Sequence, residues 1–206
     1  MNSSDNLKSG ELYLNPVHNR PCPDPFALKH CGQYWCYSTG FWHDGRCFGV
    51  MRSQNLTDWH ELAGAMEPLP EGWTCYWAPE VVYYNGRFFM YYSVGNEERM
   101  QIRVALSEHP AGPFIDSGRR LTEEEFAIDP HVFEDTDGAR YLFYATDFLT
   151  HTHIGTGTVV DRMLDMFTLA GDPRPVTRAR FAWQVYDPQR IEKGGVRWHT
   201  VEGLSC

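Results

Sequence analysis

The chain has 206 residues, of which 42% are hydrophobic and 15% aromatic, and a formal net charge of −9. That length and apolar content suit one substantial core and exclude a disordered chain. The acidic balance excludes a nucleic-acid partner, whose phosphates require clustered Lys and Arg. No stretch reaches the roughly 20 apolar residues needed to cross a bilayer, and Met1–Lys8 carry no apolar run of the signal-peptide kind. No membrane partner is therefore expected, and a cytoplasmic location is.

Residues 1–14 read as a loose arm, and residues 15–206 as one domain. Along that domain a short pattern recurs at intervals of about 50 residues: Asp24-Pro25-Phe26, Ala78-Pro79-Glu80-Val81 and Asp129-Pro130-His131-Val132. Each copy runs into an aromatic strand: Tyr34–Ser38, Phe88–Ser93 and Tyr141–Thr146. Repetition near 40–50 residues with several short strands per unit predicts a β-propeller. In such a fold equivalent positions of successive blades face one axis, so Asp24 and Asp129 are expected to converge there. Paired carboxylates are the equipment of glycoside hydrolysis.

In the first repeat, strands are predicted at Tyr34–Ser38 and Cys47–Arg52. The polar run Ser53–Asp58 then turns an outer corner in front of a buried Trp59. In the second, Val81–Tyr84 and Arg87–Tyr92 flank Asn85-Gly86, the strongest short hairpin signal. Ile102–Leu106 adds a third strand. Glu123–Glu125 read as at most a short helical turn. In the third, Val132–Glu134 and Arg140–Ala145 enclose the turn Asp135–Gly138, and Thr156–Val160 follows. A proline-interrupted stretch with Pro173, Pro175 and Pro188 leads to Trp198–Glu202, which reads as the start of a fourth repeat. No segment carries sustained helical periodicity, so the fold class is all-β.

Each Asp-Pro pair is expected to hold its Asp in extended geometry, because proline crowds the residue before it out of the helical region. The six cysteines (22, 31, 36, 47, 75 and 206) show no CxxC spacing, which argues against zinc and for reduced thiols. His151 and His153 have alternate spacing but no third ligand in sight, so a loop role is preferred. Ser38, Ser53 and Ser93 lack a nucleophile elbow.

Taken together these motifs resemble the family 43 glycoside hydrolases, which are five-bladed β-propellers. The residues that carry the resemblance, in order, are Asn15-Pro16-Val17 with Pro23-Asp24-Pro25, Trp77–Val81, Ile128–Phe133 with Asp137-Gly138, and Thr200–Gly203. The corners Ser53-x-Asn55-Leu56-x-x-Trp59 and Gly112-Pro113-Phe114 also fit. The resemblance implies an inverting hydrolase of α-L-arabinofuranosyl or β-D-xylosyl linkages with an oligosaccharide as its partner. It implies Asp24 as general base, Glu202 as general acid, and Asp129 as the carboxylate that tunes the acid. Trp77, Phe41 and Trp42 are the candidate sugar-stacking residues. Glu80 either contacts sugar or anchors its blade, and His131 reads as structural. No cofactor is required and no metal ligands are assigned, although the complete fold has room for a central structural cation. About three blades and the start of a fourth are present, so the expected propeller is incomplete. The rival reading is a non-catalytic fragment that needs further blades or a partner. A phosphorylase would need a cationic phosphate pocket, and Arg20, Arg103 and Arg140 sit in no such motif.

Overall fold

The computed structural model describes residues 15–150 and 152–203. The predicted arm, His151 and Cys206 lie outside the described residues. Among the described residues fifteen strands follow in chain order: β1 Phe26–His30, β2 Gln33–Phe41, β3 Cys47–Ser53, β4 His60–Glu61, β5 Cys75–Tyr84, β6 Arg87–Gly95, β7 Met100–Ser107, β8 Ile115–Arg120, β9 Ala127–Glu134, β10 Arg140–Phe148, β11 Gly155–Asp165, β12 Thr168–Leu169, β13 Arg174–Thr177, β14 Val185–Arg190 and β15 Val196–Thr200. The one helical turn among the described residues is 3-10, at Ile191–Lys193. The fold is all-β, as the repeats predict.

The strands form three sheets. Two are four-stranded blades, β1-β2-β3-β4 and β5-β6-β7-β8, each an antiparallel meander. The third begins the same way with β9-β10-β11. Its outer edge is shared by β12 and β13, both antiparallel to β11. The innermost strand of each sheet is the one that opens with the repeated motif: β1, β5 and β9.

Burial on both faces explains the continuous apolar runs. On β6, Phe88, Met90, Tyr92 and Val94 pack toward the first sheet with Tyr37, Phe48 and Phe114. The alternate residues Phe89 and Tyr91 pack toward the third sheet with Leu142, Tyr144 and Val159. A period of two thus feeds two interblade cores from one strand. The buried tyrosines keep their hydroxyls bonded: Tyr37 donates to Pro110 O at 2.7 Å and Tyr91 to Met166 O at 2.9 Å. Phe114 of the Gly112-Pro113-Phe114 corner is buried between the first two blades, and its N–H donates to Ala65 O at 2.8 Å. In the other corner Trp59 is half-buried rather than buried, and its indole N–H donates to Leu56 O at 2.9 Å.

The predicted Asn85-Gly86 hairpin forms with φ of 48° and 81° at its two central residues, as a primed turn needs. Glu123–Glu125 make no helical turn. The side chain of Arg120 bonds the carbonyls of Thr122 and Glu124, and Glu124 Oε1 accepts from Tyr144 OH at 2.7 Å, which holds this link extended. The proline-interrupted stretch contains two strands that the sequence reading left irregular. Pro175 sits in β13 and Pro188 in β14, both at sheet edges, where a missing N–H costs no ladder bond.

The segment read as the start of a fourth repeat begins in β15 and runs past its end. It pairs with β14 and docks in parallel against the first residues of β11, Gly155 opposite His199 and Thr156 opposite Thr200. Gly155 makes that approach available. A Cβ there would stand 1.8 Å from His199 O, and the residue has φ +155°. Val201 N–H then donates to Thr156 O at 3.0 Å, which carries the chain past the third blade to Glu202.

Candidate active site

The X-Pro dipeptides do not sit in regular extended strand. In β5, Trp77 faces Ser93 and Glu80 faces Tyr91, so Ala78 and Pro79 together oppose Tyr92 alone. In β9, Ile128 faces Ala145 and His131 faces Phe143, so Asp129 and Pro130 oppose Tyr144. In the first blade Thr39 N–H bonds Pro23 O while Phe26 faces Tyr37, so Asp24 and Pro25 oppose Ser38. Three blades carry the same bulge. Its first residue has positive φ each time: 46° at Asp24, 45° at Ala78 and 56° at Asp129. This overturns the extended geometry expected before proline. The local preference is outweighed by the ladder on both sides, which admits a two-against-one mismatch, and by a bond from the preceding blade. Thr39 Oγ1 accepts Ala78 N–H at 2.7 Å, and Ser93 Oγ accepts Asp129 N–H at 3.0 Å. A bulge re-aims the side chain it carries, and left-handed φ outside glycine is strain of the kind that concentrates at functional sites.

The re-aimed residues line one hollow of about 360 Å³, bounded by Asp24, Ala78, Glu80, Asp129, His131 and Gly203. Asp24 is exposed there, and its Oδ2 accepts the Thr39 hydroxyl at 2.5 Å. Asp129 is half-buried. Burial, and next the charge of Asp24, push its carboxyl up to about 6, against the opposing pull of a backbone hydrogen bond from Gly203. Glu202 lies on the segment beyond β15. Crowding by protein atoms raises its carboxyl to about 7, and Asp129 adds to the rise; Arg190 opposes it, and Asp24 and Asp147 contribute further repulsion. The residue as a whole is solvent-exposed, so its surroundings remove only part of the water around its carboxyl. Asp24, Asp129 and Glu202 thus share one electrostatic neighbourhood although they come from widely separated positions in the chain.

Glu80 and His131 brace the floor. Glu80 is buried, its Oε2 lies 2.8 Å from His131 Nδ1, and its Oε1 accepts Val132 N–H at 2.8 Å. The Glu80 hydrogen bond raises the His131 pKa, burial pulls it down, and the Glu80 charge adds to the rise. The pair ties the inner strand of the second blade to that of the third. Sequence reasoning left Glu80 open between sugar contact and anchoring, and the anchoring bonds are present.

The candidate stacking residues are placed differently. Trp77 packs between the second and third blades against Cys75, Met100 and Phe126. Trp42 lies on its own blade: its indole N–H donates to Leu62 O at 2.7 Å, and its ring occupies the space where a Cβ on Gly49 would fall. Phe41 is exposed and meets Tyr76 edge to face at 5.4 Å. Sequence reasoning missed Thr39 and Ser93, whose hydroxyls set the bulges, and Arg190, which opposes the charge around Glu202. The first two share one position relative to the repeat, and that was a readable signal.

Among the described residues no group of three or more His, Cys, Asp or Glu side chains is arranged to hold a metal ion. His153 meets His199 edge to face at 4.7 Å. The thiols of Cys22, Cys31, Cys36, Cys47 and Cys75 are free.

Comparison with known proteins gives a consistent picture. The sequence model of the glycosyl hydrolases family 43 matches residues 13–192, which stops short of Glu202. Xylosidase/arabinosidase 43A of Humicola insolens is 28% identical over 142 residues, covering 68% of this chain and 42% of that protein. Beta-D-galactofuranosidase xynD of Aspergillus niger is 26% identical over 220 residues, covering 96% of this chain and 59% of that protein. The crystal structure of a thermostable family-43 glycoside hydrolase superposes with a TM-score of 0.71 at 31% identity, covering 91% of this chain and 61% of the other. The chain thus spans about half the length of the curated relatives it matches.

Proposed function

The chain belongs to the glycosyl hydrolases family 43, and from that premise we propose that it carries the acid–base machinery of an inverting hydrolase of α-L-arabinofuranosyl or β-D-xylosyl linkages in oligosaccharides. The observation that carries the proposal is that Asp24 and Asp129 line one hollow while the charges of both act on Glu202, whose carboxyl is raised to about 7.

Asp24 is the general base. It takes a proton from a water that attacks the anomeric carbon on the face opposite the leaving oxygen. Glu202 is the general acid and gives its proton to that oxygen as the glycosidic bond breaks. The two carboxyls of an inverting pair stand roughly 6.5–9.5 Å apart so that the water fits between them. The net result is one water consumed, one glycosidic bond broken and the anomeric configuration inverted. Asp24 then holds the proton and Glu202 the charge, and exchange with solvent resets both.

Asp129 supports the acid without touching the proton it donates. Burial does most to raise the Glu202 carboxyl to about 7, and the negative charge of Asp129 adds to it by disfavouring a second charge there. The Thr39 hydroxyl fixes the direction of Asp24. Relatives named for xylosidase, arabinosidase and arabinanase activity support xylosyl and arabinofuranosyl linkages, and another relative is named for galactofuranosidase activity.

The test is proton NMR of the sugar first released from xylo- and arabino-oligosaccharides. The proposal expects the anomer opposite to that of the substrate, and none from Asp24→Asn. Release of the same anomer, or undiminished release by Asp24→Asn, contradicts it.

A further inference from the structure

One group of side chains near the acid has no part in the mechanism. After β13 the chain turns through Phe181–Gln184 and enters β14. The turn is closed by Gln184 N–H donating to Phe181 O at 3.0 Å, and by Gln184 Oε1 accepting the N–H groups of Arg180 and Phe181 at 2.8 and 3.0 Å. On it the rings of Phe181 and Trp183 stack nearly parallel, 5.9 Å apart with 10° between planes. The pair stands in solvent: Phe181 is 56% exposed and Trp183 77%.

Its position is fixed relative to Glu202. Val185 faces His199 across the β14–β15 ladder, and Gln184 O accepts Thr200 N–H at 3.1 Å. The turn therefore closes beside the backbone that leads through Val201 to Glu202. Among the described residues neither ring belongs to an interblade core.

We propose that Phe181 and Trp183 form the platform for the sugar on the leaving-group side of the scissile bond. The inference rests on the reading of Glu202 as the acid, because the acid serves the leaving oxygen, and the sugar attached to that oxygen lies on its side of the hollow. Phe181 stacks against Trp183, and most of the indole remains exposed. An open indole face suits the C–H face of a neutral sugar, and a rigid aromatic offers contact area at low entropic cost. The placement predicts an enzyme that favours substrates with a second sugar over those with a small leaving group.

The test uses calorimetric titration in an Asp24→Asn background, so that binding is read without turnover. The probes are 1,4-β-xylotriose, 1,5-α-arabinotriose and the two methyl glycosides. Trp183→Ala should weaken the better-bound trisaccharide about tenfold, a loss of roughly 1.4 kcal/mol, and leave the methyl glycosides unchanged. Trp183→Tyr should restore most of the affinity. Because Trp183 lies outside the cores, circular dichroism and melting should not change. Equal trisaccharide affinity in Trp183→Ala, or no binding of either trisaccharide, overturns the platform. Trp183-dependent binding by a chain that never releases sugar keeps the platform and overturns the acid–base reading instead.

Discussion

The hydroxyl of Thr39 donates to Asp24 Oδ2 at 2.5 Å and at the same time accepts the N–H of Ala78 at 2.7 Å. One side chain in the second strand of the first blade thus aims the proposed base and pins the bulge of the next blade. Thr39→Val keeps the shape and removes both bonds. It should lower kcat at least tenfold with little change in KM, and cost about 1–3 kcal/mol for the N–H left without an acceptor. Thr39→Ser should recover most of both. Steady-state kinetics and thermal melts check the pair of effects, and a Thr39→Val enzyme with full kcat refutes the aiming role.

Asp129 and Glu202 are both raised by burial and by neighbouring negative charge. Replacing Asp129 with Asn removes one of those charges, so Glu202 should titrate lower. The alkaline limb of kcat/KM should move from near pH 7 toward acid, with lower activity at neutrality.

The same shifts set a pH dependence of stability. A carboxyl whose folded pKa lies above its unfolded value binds more protons in the folded state. Its contribution is then fully favourable below about pH 4 and is lost as pH rises through the folded values of about 6 and 7. Asp129→Asn should therefore raise the melting temperature at pH 8 and change it little at pH 4. Melts at the two pH values decide the point; a variant less stable at pH 8 contradicts it.

Glu80→Ala removes a carboxylate that bonds His131 Nδ1 and accepts the Val132 N–H from a buried position between two inner strands. Breaking a buried pair from one side costs about 3–5 kcal/mol. Denaturant unfolding should show a loss in that range. A loss under 1 kcal/mol would mean the pair does not brace the floor.

Gly155→Ala should act at a distance. The added methyl meets His199 O and forces β15 away from β11. Since β15 leads to Glu202, turnover should fall while the first two blades stay intact. Hydrogen exchange should show faster exchange confined to β14, β15 and the start of β11. Full turnover would show that Glu202 is placed by something other than this contact.

The blades were legible because their signals are local. The continuous aromatic run in Phe88–Val94, primed-turn chemistry at Asn85-Gly86 and a motif repeating every 50 or so residues each announce themselves in the sequence. The bulges were not legible. Proline's preference for an extended neighbour is a local rule, and it is overridden here by hydroxyls of the preceding blade that accept the bulge N–H groups of Ala78 and Asp129 and by pairing on both sides of the dipeptide. Trp77 and Trp42 looked like rim aromatics because composition does not distinguish a ring between two blades from a ring facing sugar. Phe181 and Trp183 were passed over because they fall in a stretch broken by prolines, whose strands form by pairing with β11 and β15 rather than by a pattern of their own.

The most direct test of the central claim is a carbon-13 NMR titration of the Glu202 carboxyl in the unsubstituted chain and in Asp129→Asn. A carboxyl that titrates near 7, and moves to clearly lower pH when Asp129 loses its charge, is what the three converging acids require. A Glu202 that titrates near its ordinary value of about 4.3 and ignores Asp129 would contradict the account at its centre.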